Sequence, residues 1–296
     1  MNESKQIPPV LAQWAEQRLG PVMTVHDAAH NRPSSRVWEL ATHQGVHAYL
    51  KISPDEQAFT REALAYRSVV PALGHGRAPQ LLDCRAEDLV LLLSAVPGTP
   101  VKALRMTTTE EGVLYEQAGL LTARLHEAGA TGESTQEVAE AAFLAAADKV
   151  EMHLAQAGSL MSSAEQKLVR GYAQRLRQVG SVPVGLVHGD NRPRNWLWSR
   201  PDQRLFLIDF ELTRMAPAVQ DFVILATTVW AERPDRMDAF FQGYGRQLAE
   251  GERIALRCLT ALDAAASLAW GPSHSDAFVT SSGRRTLERF MHEDQP

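Results

Sequence analysis

The first third of the chain alternates short apolar runs with turn-forming residues, which is typical of β-strands. A longer segment, from Asp55 to about Val70, places apolar residues at three- and four-residue steps, which indicates a helix. The predicted strands of this region are residues 23–26, 36–41, 47–52 and 89–93. The pattern therefore predicts a small antiparallel sheet with one helix packed on it.

The character of the sequence changes at the run Val96-Pro97-Gly98-Thr99-Pro100, because two prolines and a glycine interrupt both helices and strand ladders. Beyond it the apolar spacing is mainly helical, with predicted helices at residues 109–127, 136–157, 163–179, 218–231, 234–248, 252–269 and 275–292. Short strand-like runs at residues 185–187, 196–198 and 205–208 interrupt these helices. We therefore predict an α+β fold of two lobes: a sheet lobe of residues 1–95 and a larger, mainly helical lobe of residues 96–296.

Composition narrows the class of protein. With 296 residues, 45% hydrophobic and 22% charged, the chain resembles a soluble globular enzyme, and disorder and membrane spanning are both disfavoured. The net charge of -5 and the pI near 6.1 argue against a nucleic-acid-binding surface. Cys84 and Cys258 lie far apart, which favours reduced thiols, and residues 1–15 lack the apolar run of a secretory signal. We expect a cytoplasmic protein with neither a nucleic-acid nor a membrane partner.

The most informative motif is His188-Gly189-Asp190-Asn191-Arg192-Pro193-Arg194-Asn195, which Ile208-Asp209-Phe210 follows. Asp190 and Asp209 each come close behind an apolar run, so both are expected at the ends of strands. Transfer of a γ-phosphoryl group needs a carboxylate for the proton of the acceptor hydroxyl, and oxygen ligands for Mg²⁺. Asp190 suits the first task, and Asn195 and Asp209 suit the second. The alternative is that all three are turn or capping residues beside a sheet.

Lys51 is the candidate for binding nucleotide phosphates. It ends the apolar run Ala48-Tyr49-Leu50, so its side chain is expected to project from a strand. Glu62 is its predicted partner, because this glutamate lies on the apolar stripe of the following helix, where an unpaired charge is costly. Glu56 is the second choice. The alternative is a surface lysine together with a solvated Glu62.

The run from residue 90 to residue 96 leads into the predicted lobe boundary. The backbone there, at Ser94 and Val96, is expected to hydrogen-bond adenine; a buried strand followed by a linker is the alternative. Between the first two strands, at residues 26–35, the sequence has no glycine-rich phosphate loop. Ser34, Ser35 or backbone amides are the candidates for phosphate contact in that segment.

At these residues the chain resembles the aminoglycoside phosphotransferase and choline kinase-like family, whose fold is related to that of protein kinases. The resemblance rests on Lys51, Glu62, the loop at residues 188–195 and the run Ile208-Asp209-Phe210-Glu211. It implies a two-lobed protein-kinase-like fold that uses ATP with Mg²⁺, with GTP as the alternative nucleotide. Asp190 would be the catalytic base, Asn195 and Asp209 the Mg²⁺ ligands, and Lys51 paired with Glu62 the phosphate contact.

The resemblance also implies supporting residues. His188 would brace the loop without taking part in the chemistry, and Asp221 lies where the family often has an aspartate that hydrogen-bonds the catalytic loop. Arg192 would stabilise charge on the transferring phosphate. The alternatives are that Asp221 is an N-terminal helix charge and that Arg192 is solvated.

The acceptor is expected to be a small hydroxylated molecule. An aminoglycoside or another hydroxylated antibiotic is the first interpretation, and a small metabolite alcohol, such as an amino alcohol or a sugar, is the second. A catalytically silent nucleotide-binding module is an alternative of a different class. The candidate contacts for a cationic acceptor are acidic and aromatic side chains after Asp221, unless they are solvated or core residues: Asp238, Glu252, Asp263, Asp276, Glu288, Trp230 and Trp270.

Overall fold

The computed structural model describes residues 6–28, 36–129 and 135–293. In chain order the elements are α1 (Pro9–Leu19), β1 (Val22–Asp27), β2 (Arg36–Thr42), β3 (His47–Ile52), α2 (Glu56–Leu64), β4 (Leu81–Arg85), β5 (Val90–Ser94), β6 (Thr99–Pro100), α3 (Thr108–Ala128), α4 (Thr135–Asp148), α5 (Val150–Ala157), α6 (Ser163–Leu176), β7 (Val184–Val187), β8 (Trp196–Ser199), β9 (Arg204–Leu207), β10 (Arg214–Pro217), α7 (Val223–Leu225), α8 (Pro234–Tyr244), α9 (Glu250–Ser273) and α10 (Ala277–Glu293).

The chain packs into two compact units. The first unit is Met1–Leu104 with Pro193–Thr213, and the second unit is Arg105–Arg192 with Arg214–Pro296. The first unit is discontinuous in sequence because β8 pairs with both β6 and β9 and so joins the residues around Thr99. The predicted lobe boundary between residues 95 and 96 stays a prediction.

The first unit is built on an antiparallel sheet. Among the described residues its strands lie in the order β1-β2-β3-β5-β4, and each strand is antiparallel to its neighbours. The strands predicted for this region are all present. The sheet also contains β4, whose mixed sequence, Leu81-Leu82-Asp83-Cys84-Arg85, does not mark it as a strand.

Helix α1 covers one face of this sheet and is an addition to the single helix that the sequence predicts there. Its apolar stripe is short and follows two prolines, so the periodicity alone does not reveal it. Leu11, Trp14 and Ala15 of α1 pack against strand residues that include Leu50. Because side chains alternate along a strand, Lys51 faces the opposite side of the sheet, where α2 lies.

The second unit is mainly helical. Helix α3 packs against α8, and α9 packs against α5, α6 and α10. Strands β7 and β10 form an antiparallel pair. The helix predicted at residues 136–157 is divided into α4 and α5, with Lys149 between them. The predicted helix at residues 218–231 is a succession of 3-10, α and π turns.

By length and composition alone, one described helix, α9, could cross a membrane. However, 56% of its apolar stretch is buried inside the structure, where Leu259, Leu262 and Leu268 contribute to the core. This is the pattern of a core helix.

The approach of α3 to α8 depends on glycine. A Cβ atom on Gly119 would lie 1.9 Å from the carbonyl oxygen of Phe240, whereas a Cβ on Gly112, also in α3, would meet nothing within 4 Å. A larger side chain at Gly119 would therefore clash with α8, whereas one at Gly112 would not.

We predict that Gly119→Ala lowers the free energy of unfolding by about 2 kcal/mol or more, because α3 and α8 must move apart. Gly112→Ala is the matched control and should raise the free energy of unfolding by about 0.5 kcal/mol, through better helix propensity. Urea unfolding followed by circular dichroism measures both. Equal effects of the two substitutions would contradict this description of the helix contact.

Candidate active site

Lys51 lies at the centre of a cluster of charged side chains in the first unit. Its Nζ is 2.8 Å from Oε2 of Glu62 and 2.8 Å from Oδ1 of Asp209. A third carboxylate, that of Glu211, contributes Oε2 at 3.1 Å. The structure thus has the predicted pair of Lys51 with Glu62, while Glu56 is exposed in the first turn of α2. Sequence reasoning did not assign Glu211 to this cluster, because only the fold shows which side chains converge on Lys51.

The charges in this cluster are unequal, because one ammonium faces three carboxylates. The Glu62 side chain is fully buried, and burial raises the pKa of Glu62 to about 7, although Lys51 acts in the opposite direction. Burial would lower the pKa of Lys51, but attraction to Glu62, Asp209 and Glu211 leaves it well above its ordinary value. Lys51 is therefore charged at neutral pH. On the open side of the cluster, the carboxylates of Asp209 and Glu211 attract a further cation.

Asp209 is held in a specific backbone conformation after β9. Its φ angle is +68°, which is uncommon for a residue with a side chain. The preceding residue, Ile208, donates its N–H to the carbonyl of Asn195 at 3.0 Å, and Arg61 of α2 donates to the carbonyl of Glu211. These contacts fix the turn that directs the Asp209 carboxylate toward Lys51.

Asn195 and Asp209 have the chemistry of Mg²⁺ ligands. One offers an amide oxygen and the other a carboxylate, and Mg²⁺ prefers such oxygen donors together with water and phosphate. The Asn195 side chain is buried, whereas the Asp209 side chain is 41% exposed. Among residues 6–28, 36–129 and 135–293, no three His, Cys, Asp or Glu side chains form a metal-binding group of their own. The donor set fits a metal that also takes ligands from a bound phosphate.

Asp190 lies in the second unit, in the loop that follows β7. Asp221 holds this loop: its Oδ2 accepts the N–H of His188 at 2.7 Å and its Oδ1 accepts the N–H of Gly189 at 2.8 Å. Gly189 has a φ angle of +79°, which suits a glycine. The predicted hydrogen bonds from Asp221 to the loop are therefore present, and Asp221 is more than a helix-terminal charge.

Helix α3 supports the same loop through residues that the sequence reading did not identify. His126 Nε2 lies 3.1 Å from Asp221 Oδ2, and its Nδ1 lies 2.9 Å from the hydroxyl of Tyr244. Thr122 accepts a hydrogen bond from the side chain of Asn191 at 2.9 Å. His126 and Thr122 are four residues apart on the buried face of α3. Two polar residues on the apolar stripe of a helix were therefore the feature of the sequence that could have identified them.

Arg192 forms an ion pair with Asp190, with 2.5 Å between its Nε and Asp190 Oδ1. The Arg192 side chain is 26% exposed, and its contact with the transferring phosphate stays a prediction. In this structure its guanidinium contacts the candidate base itself.

The two residues predicted to contact adenine differ in their surroundings. The N–H of Ser94 donates to the carbonyl of Gln80 and the Ser94 hydroxyl accepts the N–H of Gln80, both at 2.9 Å. In the described part of the chain, Val96 forms no such backbone hydrogen bond. Val96 is thus the better placed of the two. Ser34 and Ser35, the candidates for phosphate contact, lie outside the described residues.

The candidate acceptor contacts have different surroundings in the second unit. Glu252 pairs with Arg246 and accepts the N–H of Ala249 at the start of α9, and Asp276 accepts the N–H of Val279 at the start of α10. Asp238 and Glu288 are exposed. These positions are typical of helix caps and solvated faces.

Asp263 differs from the other acidic candidates. Its Oδ2 accepts a hydrogen bond from Thr227 at 3.1 Å. Burial raises its pKa, against the hydrogen bond of Thr227 and the charge of Arg192. Of the tryptophans, Trp230 is packed among phenylalanines, whereas Trp270 is 40% exposed and stacks on His274.

Comparison with known proteins shows the family and the fold of the chain. The model of the phosphotransferase enzyme family, APH, matches residues 29–257, and the chain belongs to this family. It is a small-molecule phosphotransferase with a kinase-like fold, so the predicted fold class is confirmed. No curated protein matches the chain in sequence.

Solved structures share the fold at low sequence identity. A macrolide 2'-phosphotransferase from Brachybacterium faecium, solved as the apoenzyme, is 18% identical with a TM-score of 0.61, over 94% of this chain and 96% of that chain. The GDP and kanamycin complex of APH(2")-IIia is 13% identical with a TM-score of 0.68, over 97% and 100%. Spectinomycin phosphotransferase APH(9)-Ia, bound to ADP and spectinomycin, is 13% identical with a TM-score of 0.64, over 97% and 94%.

Asp221 is buried next to the loop that carries Asp190, and its carboxylate accepts hydrogen bonds from the loop amides. Burial alone would raise the pKa of Asp221, but the hydrogen bond with His126 and the attraction of His126 and His188 hold it below its ordinary value. A carboxyl group whose pKa is lowered by folding stabilises the folded state at pH values above its ordinary pKa. This stabilisation is lost as the pH falls through the folded-state pKa.

We predict that Asp221→Asn lowers the free energy of unfolding by about 3 kcal/mol at pH 7, because an amide cannot accept from all of these donors. The difference from wild type should shrink as the pH falls below about 4. Denaturant unfolding at several pH values measures both effects. Asp238→Asn, at an exposed aspartate, is the control. A pH-independent difference would contradict the ionised state of Asp221.

Proposed function

We propose that the protein transfers the γ-phosphoryl group of ATP to a hydroxyl group of a small molecule, which is an aminoglycoside or another hydroxylated antibiotic. The observation that carries the proposal is the position of Lys51 between Glu62 and Asp209, because kinases hold their phosphate-binding lysine and metal-binding aspartate in this way. Family membership supports phosphoryl transfer independently.

In this proposal the first unit binds the nucleotide. Lys51 contacts the phosphates, and Glu62 keeps its ammonium in place. Val96 offers backbone groups to adenine. Asn195 and Asp209 would hold Mg²⁺, which would supply positive charge beside the phosphate oxygens. With a metal ion held by Asp209, Lys51 would stay paired with Glu62 and could contact phosphate.

The second unit supplies the base. A carboxylate oxygen of Asp190 accepts the hydroxyl proton of the acceptor, while Asp221 and Asn191 keep the loop in one conformation. Arg192 contacts Asp190 in the structure described above and carries charge that can also stabilise the phosphoryl oxygens.

The structural neighbours support the choice of acceptor and leave ATP and GTP both to be tested. Solved relatives contain kanamycin with GDP in one case and spectinomycin with ADP in another. The exposed Trp270 offers an aromatic surface of the kind that an amino sugar or another cationic polyol can contact.

We predict that Asp190→Ala lowers acceptor-dependent nucleotide consumption by roughly 10²–10⁴-fold, because the hydroxyl loses its base. The assay supplies ATP or GTP with Mg²⁺ and a panel of aminoglycosides, macrolides, amino alcohols and sugars. Asp148→Ala, at an exposed aspartate of the same unit, is the control and should retain full activity.

The panel also distinguishes the alternatives. Turnover only with amino alcohols or sugars would support a metabolic kinase. Nucleotide binding without acceptor-dependent turnover, unchanged by Asp190→Ala, would support a silent nucleotide-binding module and contradict the proposal.

A further inference from the structure

A cavity of about 670 Å³ opens in the first unit, away from the Lys51 cluster. Its wall consists of the turns that follow α2, the segment 74–80 and strand β4. Pockets that hold small molecules commonly measure roughly 300–1,000 Å³, so the space suits a ligand of modest size. Neither Lys51, Glu62 nor Asp209 lines it, so it is separate from the proposed nucleotide site.

The wall of the cavity combines apolar side chains with the exposed guanidinium of Arg67. Val70, Leu81 and Leu82 supply apolar surface. Arg67 directs Nη2 at the Sγ of Cys84, 2.9 Å away, and within the described residues its guanidinium contacts no carboxylate. The acid in the wall, Asp83, is paired instead with Arg18 at 2.5 Å. A molecule that combines an apolar body with an anionic group would complement this wall.

Tyr66 connects the cavity to the Lys51 cluster. It lines the cavity, and its ring meets that of Phe210 edge-on with 5.4 Å between centroids. The main chain of Asp209 also hydrogen-bonds the Tyr66 hydroxyl. Since Tyr66 lies one helical turn after Glu62, a single side chain contacts both the cavity and the turn that presents Asp209 to Lys51.

The backbone of this connection is irregular. The residues Ala65–Val69 form a π-helical turn and Val70–Leu73 a 3-10 turn, so α2 loses its regular geometry at Tyr66. Single π turns within helices occur often at functional sites. The backbone of this segment thus has two available hydrogen-bond patterns, the π pattern and that of a regular α-helix. A ligand that packs on these turns can favour one arrangement of Tyr66 over another.

We propose that this cavity is a regulatory site for a small amphipathic anion, such as an aromatic carboxylate, whose binding restrains Tyr66 and thereby tightens the contact of Lys51 with Glu62 and Asp209. The site lies beyond the proposed phosphoryl-transfer function and does not depend on it.

Cys84 allows the anion preference to be measured. Its thiolate attacks a sulfur of 5,5'-dithiobis(2-nitrobenzoate), which forms a mixed disulfide and releases one 5-thio-2-nitrobenzoate; the thiol proton passes to solvent. The neutral reagent 4,4'-dithiodipyridine reacts in the same way. Cys84 is half-buried and Cys258 is buried, so Cys84→Ser gives the background.

We expect the ratio of the two reaction rates, anionic over neutral, to fall severalfold in Arg67→Gln. The ratio cancels any change in the intrinsic reactivity of the thiol. Arg85→Gln is the matched control, because Arg85 lies on the same strand as Cys84, pairs with Glu87 and Asp88, and does not line the cavity. An unchanged ratio in Arg67→Gln, or an equal fall in Arg85→Gln, would overturn the proposal.

The second measurement tests the connection to Lys51 without any use of nucleotide. The nitrobenzoate joined to Cys84 stands in for the ligand, and acetic anhydride followed by mass spectrometry reports the reactivity of Lys51. We expect slower acetylation of Lys51 in the modified protein, with the exposed Lys102 as internal reference. Tyr66→Leu should keep the modification but lose its effect on Lys51. Equal Lys51 reactivity in modified and unmodified wild-type protein would overturn the proposal.

Discussion

The first unit is organised by one buried ammonium, that of Lys51, which three carboxylates share. An unpaired charge in such a place is costly, so strand β3, helix α2 and the turn after β9 must all come to the same point. The unusual backbone of Asp209 and the contact of Arg61 with Glu211 follow from that requirement. The cluster also has more negative than positive charge, which makes it suitable for a divalent cation.

The second unit has the reverse arrangement, in which one buried carboxylate, that of Asp221, accepts hydrogen bonds from several donors. Asp221 fixes two successive backbone amides of the loop that carries Asp190, and His126 fixes Asp221. Rigidity of this kind suits a general base, whose usefulness depends on the position of one oxygen atom. Each unit thus provides a preformed half of the chemistry that the family performs.

The sequence predicts those parts of the site whose signal is local. The alternation around Lys51, the helical stripe at Glu62 and the loop from His188 to Asn195 each lie within a few residues. The structure pairs Lys51 with Glu62 as expected, and it places Asp190 in the loop after β7. Glu211 and His126 depend instead on contacts between distant segments, which a single sequence does not reveal. Of the acidic residues suggested for the acceptor, Glu252 and Asp276 are helix caps, a role that the spacing of their neighbours also permits.

Direct observation of the transferred group tests the central claim best. Phosphorus NMR of a mixture of the protein, Mg²⁺, ATP and a hydroxylated antibiotic should show loss of the γ-phosphate signal together with a new phosphate monoester signal coupled to a carbon-bound proton of the acceptor. The monoester should be absent when Asp190→Ala replaces the wild type. Formation of inorganic phosphate alone, with no phosphorylated acceptor across the panel and with GTP as well as ATP, would contradict the account.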